Sequence, residues 1–307
     1  MTSLPSQTRP APAPWRAWLA AARPKTLPAG AVPVLVGNAA AWRLGTFLSS
    51  IALASLAIAL LMQIAANFAN DVADYEKGAD TTERLGPTRA VAAGWLSARA
   101  MKVGLAVVLA LALGVGAWLW WLRGVTVPIL AVFVILGALA YSTGPYPLAW
   151  HGLGEVAVLV FFGWVAMGGT VWLQLGWVPP AIWWLSLPPA LLAAALLAVN
   201  NLRDYPTDRR VGKRTLAVRF GERFASAQYR ALVLTAMVLP VLLALQTRLG
   251  GLGGYGLCLS LLAAPKAFIL WRQVTQLRGG ELNRVLAGTA QLLLLQGLLL
   301  CLGLLLP

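Results

Sequence analysis

The chain has 307 residues, 59% hydrophobic and 11% charged, where a soluble globular domain carries about a quarter charged residues; a water-soluble monomer is excluded. Its 24 Lys and Arg outweigh 10 Asp and Glu for a net charge of +14, which in so apolar a chain reads as the orientation charge of a membrane protein and not as a nucleic-acid surface. Cys258 and Cys301 sit in apolar runs without metal-ligand spacing and read as small core hydrophobes.

In chain order, residues 1–14, with Pro5, Pro10, Pro12 and Pro14 among Ser and Ala, cannot bury a core and are expected to form a disordered tail; no h-region with a cleavage site follows. Residues 15–307 are expected to form one transmembrane domain. A helical crossing takes about 20 predominantly apolar residues, and nine such runs follow, at 25–42, 49–70, 101–122, 125–141, 152–174, 181–201, 226–246, 253–273 and 286–306. With the N-terminus cytoplasmic, 21 of the 24 basic residues fall on the inner side; only Arg43, Arg123 and Arg248 fall outside, and the C-terminus is outside. The expected architecture is an all-α integral membrane protein. Trp15, Trp18, Trp42, Trp118, Trp120, Trp121, Trp177, Trp183 and Trp184 lie near predicted interfaces and read as an aromatic belt.

Seven of the ten acids occupy two windows, Asp71, Asp74, Glu76, Asp80 and Glu83 in the first, Asp204 and Asp208 in the second. Each window closes a predicted helix on the inner side. Asn67, Asn70, Asp71 and Asp74 follow i, i+3, i+4, i+7 spacing, and Asn200, Asp204 and Asp208 follow i, i+4, i+8, so each set is expected on one helical face. Carboxylates at a helix C-terminus meet the negative end of the dipole and need a cation between the faces. Carboxylate and amide oxygens without His or Cys suit a hard ion, and Mg2+ completes its shell with water and phosphates. Each acidic face is followed by a Gly-containing basic stretch, from Lys77 through Arg84 and Arg89, and from Arg209 through Lys213 and Arg214. Acid for a metal followed by base for an anion is what a diphosphate requires. The faces start 133 residues apart, each at the end of an even-numbered crossing. That suggests a four-helix pseudo-repeat, about 25–141 and 152–273, with the ninth helix added, and brings the faces together across a central cavity.

At these residues the sequence resembles the UbiA superfamily of membrane-embedded aromatic prenyltransferases, and within it the branch acting on 1,4-dihydroxy-2-naphthoate. The first Asp-rich motif is Asn67-Phe-Ala-Asn70-Asp71-Val-Ala-Asp74-Tyr75; the second is Asn200-Asn201-Leu-Arg203-Asp204-Tyr-Pro-Thr-Asp208. Further signatures are Arg23-Pro24-Lys25-Thr26-Leu27, Gly86-Pro87-Thr-Arg89, Tyr141-Ser-Thr-Gly144-Pro145, Gly152-Leu-Gly154-Glu155 and Gly212-Lys213-Arg214-Thr215. The superfamily's frequent third carboxylate, four residues after Asp74, is Gly78 here, which leaves Asp80 as a secondary candidate. The resemblance implies Mg2+ held by Asn67, Asp71, Asp74, Asn200, Asp204 and Asp208, also the catalytic set. It implies a polyprenyl diphosphate donor whose leaving group meets Lys77, Arg84, Arg89, Lys213 and Arg214, and a 1,4-dihydroxy-2-naphthoate acceptor losing CO2. Asn70, Tyr141 and Glu155 join the substrate-binding candidates, and Arg23 and Lys25 either meet the acceptor's carboxylate or anchor the first helix. Tyr75, Tyr141, Tyr146, Trp164 and Trp172 are the aromatics available to an allylic cation. The implied setting is a bacterial inner membrane, with the lipid bilayer as partner and the active site toward the cytoplasm. The competing readings are a prenyltransferase that takes another aromatic acceptor or a phytyl donor, and a cation-coupled transporter, although a transporter would more naturally place its acids near the bilayer midplane.

Overall fold

The computed structural model describes residues 12–78, 85–246 and 251–306. Asp80 and Arg84 therefore lie outside the described residues, as does most of the tail; where the tail ends, Pro14 already opens a helix, α1 (Pro14–Ala22). Proline suits this first position because its missing N–H would have had no helical partner. The next helices are α2 (Leu27–Arg43), α3 (Ser49–Glu76), α4 (Ala98–Arg123), α5 (Thr126–Ser142), α6 (Gly154–Leu175) and α7 (Pro180–Arg203). A short α8 (Tyr205–Arg210) is followed by α9 (Leu216–Ala244), α10 (Tyr255–Gln276) and α11 (Gly279–Leu305). There are no strands among the described residues. In hydrocarbon an unpaired backbone amide costs several kcal/mol, roughly, so helices that satisfy themselves are the natural solution.

Seven of these helices, α3, α4, α6, α7, α9, α10 and α11, are long and apolar enough to span a bilayer, and α5 is a shorter apolar helix. The protein is a multi-pass membrane protein. Several boundaries differ from the sequence pattern. The first apolar run begins at Leu27 because Arg23 turns the chain at φ 50°, the one positive φ at a non-glycine among the described residues. A residue held there stores strain of about 1–3 kcal/mol. α3 continues to Glu76, so the first acidic motif lies on the helix itself. α9 begins ten residues before the expected crossing, with a break at Gly221 (φ 87°) near its start. In α6, residues 159–168 widen to π-helical hydrogen bonding, a pattern frequent at functional sites.

The packing is lopsided. α2, α6, α7, α9, α10 and α11 share the largest core cluster, whereas α3 and α4 meet in smaller ones. In α5 only Val127 and Ser142 are buried, and Ile129, Val132, Phe133 and Leu136 face outward, as lipid permits. Close crossings use glycine: a Cβ on Gly256 of α10 would stand 2.2 Å from the backbone oxygen of Gly303 in α11. Backbone cannot swing aside as a side chain can. Gly256→Ala is thus expected to destabilise the bundle by about 1–3 kcal/mol, visible as a lowered apparent Tm in detergent, while Gly45→Ala, where nothing lies within 4 Å, pays only the strain of its φ of 87° in an exposed turn and should lose less.

Candidate functional site

The site lies where the C-terminal ends of α3 and α7 meet the turn between α1 and α2. Asn67 anchors that turn, its Nδ2 donating to the carbonyl of Ala22 and to Thr26 Oγ1, both at 3.0 Å. One turn on, Asn70 and Asp74 face a small polar chamber of about 70 Å3, which Asn200, Asn201, Asp204 and Asp208 line from the opposite side and Arg23, Arg89, Lys213 and Tyr141 complete. The chamber shares Arg23, Asn70, Tyr141, Leu197 and Asn200 with a much larger cavity of about 700 Å3. The larger space runs between α2, α3, α4, α5, α6 and α7, and Ala, Val, Leu, Ile and Phe dominate its lining.

Each carboxylate on the chamber wall has a cation in contact. Arg89 Nη2 meets Asp74 Oδ2 at 2.5 Å, Arg203 Nη2 meets Asp204 Oδ2 at 2.6 Å, and Lys213 Nζ lies 3.4 Å from Asp208 Oδ1. Asp208 keeps one buried oxygen without a hydrogen-bond partner. Burial, only partly offset by Lys213 and reinforced by Asp204, raises its pKa from 3.8 to about 6. A cation beside such a carboxylate favours the charged form again. The oxygen donors thus fit a hard divalent ion in the chamber. Among the described residues no three carboxylates, imidazoles or thiolates group closely enough to hold a metal ion by themselves.

The expected residues divide by position. Asn70, Asp74, Asn200, Asp204, Asp208, Arg23, Arg89, Lys213 and Tyr141 come together at the chamber. Asn67 and Lys25 line the large cavity instead. Asp71 lines neither: its Oδ2 accepts from the backbone N–H of Ala90 at 3.2 Å, and its Oδ1 is buried with no partner. The four residues of the first motif keep one helical face by their spacing, but different neighbours cover its parts, so that Asn70 and Asp74 reach the chamber. Glu155 stands one layer back, accepting from Asn201 Nδ2 at 3.0 Å. Lys77 is exposed, over the Trp150 ring and donating to the Ser142 carbonyl at 3.0 Å. Arg214 is exposed and lines neither cavity.

Of the five aromatics, Tyr141 alone reaches the cavities; Phe161 and Phe162 of the π segment and Trp95 also line the large one. Tyr75, Tyr146 and Trp164 are exposed, and Trp172 packs beside Leu119 and Val127. Tyr146 stacks on His151, the single histidine, at 3.7 Å between ring centroids. Arg203 was missed: its place between Asn200 and Asp204 was the available signal, but it reads in sequence as one more loop cation.

Comparison with known proteins gives one answer. The UbiA prenyltransferase family profile matches residues 30–304. The 1,4-dihydroxy-2-naphthoate octaprenyltransferase of Escherichia coli (strain K12) is 39% identical over 256 residues, covering 81% of this chain and 82% of that protein. The protein of the same name from Haemophilus influenzae is 34% identical over 297 residues, covering 94% and 95%. Among solved structures, a UbiA homolog from Archaeoglobus fulgidus bound to GPP and Mg2+ superposes with a TM-score of 0.64 at 17% identity, covering 93% of this chain and 99% of that one.

Because the folded state raises the Asp208 pKa, it holds the proton more tightly than the unfolded chain, and this group's contribution to stability falls as pH rises from about 4 to about 6. Asp208→Asn is accordingly expected to leave the apparent Tm at pH 8 equal or higher while abolishing the stabilisation that Mg2+ with pyrophosphate confers on the parent protein. A lowered Tm with that stabilisation intact would instead make Asp208 a residue of the fold.

Proposed function

This chain belongs to the UbiA prenyltransferase family, and from that premise we propose that it transfers a polyprenyl group from polyprenyl diphosphate to 1,4-dihydroxy-2-naphthoate, releasing diphosphate and CO2 in menaquinone biosynthesis. The observation that carries this reading is the joined pair of cavities: a chamber of oxygen donors and cations opening, at five shared residues, into a long apolar space. An apolar space in a bilayer accepts a long prenyl tail at little solvation cost, lipid tails being as apolar as its lining, and the diphosphate is held by its charge.

Asn70, Asp74, Asn200, Asp204 and Asp208, which line the chamber, would hold Mg2+, and the ion would supply positive charge to a diphosphate leaving group. Lys213 and Arg23, both on the chamber wall, neutralise the departing diphosphate. Asp71 supports the first acidic face from behind by holding Ala90, and Asn67 supports it by holding the turn that carries Arg23. Tyr141 lies at the junction, where the allylic C–O bond would sit, and presents an aromatic ring to the developing cation. The apolar lining excludes water that would otherwise capture that cation. The ring carbon bearing the naphthoate carboxylate then attacks, a C–C bond forms, and CO2 leaves while its bonding pair restores the aromatic ring. No side chain has to remove a proton from that carbon, which agrees with a chamber lacking histidine. Lys25, which lines the large cavity and not the chamber, is the cation left for the acceptor's carboxylate.

We also read α2 and α5, at 17 residues each, as crossings that make nine with the seven longer helices. The N-terminus and the site are then cytoplasmic and the C-terminus outside, in a bacterial inner membrane. Residues 15–307 would form one domain with a pseudo-repeat of about 25–141 and 152–273. The position of both acidic motifs at one end of the bundle supports this arrangement.

Purified protein given Mg2+, a polyprenyl diphosphate and 1,4-dihydroxy-2-naphthoate should release CO2 and diphosphate in equal amounts and form a prenylated naphthoquinol; diphosphate release without CO2 would exclude the decarboxylating acceptor. Tyr141→Leu should lower kcat by at least about tenfold, the order lost when roughly 1.4 kcal/mol of transition-state stabilisation is removed, with the donor KM little changed. An equal kcat would remove Tyr141 from the reacting centre.

A further inference from the structure

Arg203 is among the largest fully buried side chains of the described residues, at 1% exposure. A basic residue serving only to orient a helix would snorkel its charge to the interface; this one does the opposite. Its Nε and Nη2 hold the two carboxylate oxygens of Asp204 at 2.8 and 2.6 Å. Nη2 also donates to Asn200 Oδ1 at 2.8 Å, and Nη1 donates to Asn283 Oδ1, at the start of α11, at 2.9 Å. Asn283 in turn donates from Nδ2 to the Leu85 carbonyl at 2.9 Å. The next residue, Gly86, lies flat on the guanidinium: a Cβ there would stand 2.6 Å from Nη2 and 2.9 Å from Cζ.

Three segments far apart in sequence therefore close on one cation. Asp204 and Asn200 both line the chamber with oxygen donors. The planar fork fixes the rotation of the carboxylate and the amide together, which a lysine's point charge does not. We infer that Arg203 is the positioning residue of the second acidic face, aiming Asp204 and Asn200 at a Mg2+-diphosphate, and that Asn283 of the last helix and the Leu85–Gly86 segment lock its guanidinium in place. The last helix, which carries no motif in sequence, thereby takes part in donor binding.

The inference rests on the proposed Mg2+-diphosphate chamber, and direct binding separates the two. The probe is pyrophosphate with Mg2+, titrated calorimetrically into the full-length protein in detergent, alongside the Mg2+ dependence of turnover. Outer partners of metal ligands typically contribute 10–100-fold in metal affinity, so Arg203→Lys should weaken Mg2+-pyrophosphate binding by at least about tenfold although the charge is kept. Asn283→Ala and Gly86→Ala, on different segments, should shift binding in the same direction, with the acceptor KM unchanged in all three. Binding at the parent affinity in Arg203→Lys would overturn the inference. If that variant does not fold, parent affinity in both Asn283→Ala and Gly86→Ala would overturn it equally, as would a fall in kcat with binding and Mg2+ dependence unmoved. Parent protein that binds no Mg2+-pyrophosphate would instead overturn the chamber itself.

Discussion

Carboxylates at the C-terminal ends of two apolar helices, with the negative poles of both dipoles behind them, are tolerated only where cations stand against them. Asp74, near the end of α3, and Asp204, directly after α7, are met by Arg89 and Arg203, and Asp208 of the short α8 is met by Lys213. Removing one partner of such a buried pair costs about 3–5 kcal/mol, so the cations and the acids must arrive together. The consequence is topological. Arg89 comes from the segment after α3, Lys213 from the segment after α8, and Arg203 from α7 itself, so the loops that follow each acidic helix must fold back over its end. The same folding brings backbone to the site, with the Ala90 N–H on Asp71 and the Leu85 carbonyl on Asn283.

The three pairs are not equivalent. Asp204 is gripped through both oxygens by an arginine with 1% exposure, whereas Asp208 meets only a lysine at 3.4 Å and keeps a buried oxygen unpartnered. Asp204 is therefore the fixed donor, and Asp208, in the six-residue α8, is the one whose charge is unresolved until a second cation enters. A chamber built from one rigid and one underneutralised carboxylate is suited to a ligand that brings its own positive charge, as a metal diphosphate does when the ion is bound with it. Fully neutralised acids would make a stable wall with nothing to attract.

Much of the framework was legible because apolar runs of about 20 residues have few alternatives to a membrane helix, and the acids and amides at helix ends gave the site. What was lost depends on rotation and length. Asn67 and Asp71 share a helix with Asn70 and Asp74, but which of the four faces the chamber is decided by the neighbours around α3, and no spacing contains that. The nine-residue α1 is too short to register as an apolar run, and Pro14 looked like part of the tail. Trp164 and Trp172 seemed suited to a cation pocket, yet the π turn of α6 presents Phe161 and Phe162 instead. Arg203 and Asn283 were hidden differently: the first is indistinguishable by type from orientation charge, and the second gains its meaning only from a partner 80 residues away.

The two cavities make opposite demands on the same junction. The chamber must be polar enough to hold oxygen donors and cations; the large space must be apolar enough to hold a prenyl tail and keep water out. At the boundary, Arg23, Asn70, Asn200, Tyr141 and Leu197 serve both, a set that mixes a guanidinium, two amides, a phenol and an alkyl group. Such a mixture suits a donor whose charge ends within one ester bond of its first isoprene unit. Arg23, held at a left-handed φ of 50° by the turn that Asn67 and Thr26 pin, pays backbone strain to stand at this boundary, and strain persists only where surrounding contacts over-determine it. The anchoring of the α1–α2 turn by the first residue of the acidic motif is thus part of the same constraint as the buried ion pairs: both fix where positive charge stops and hydrocarbon begins.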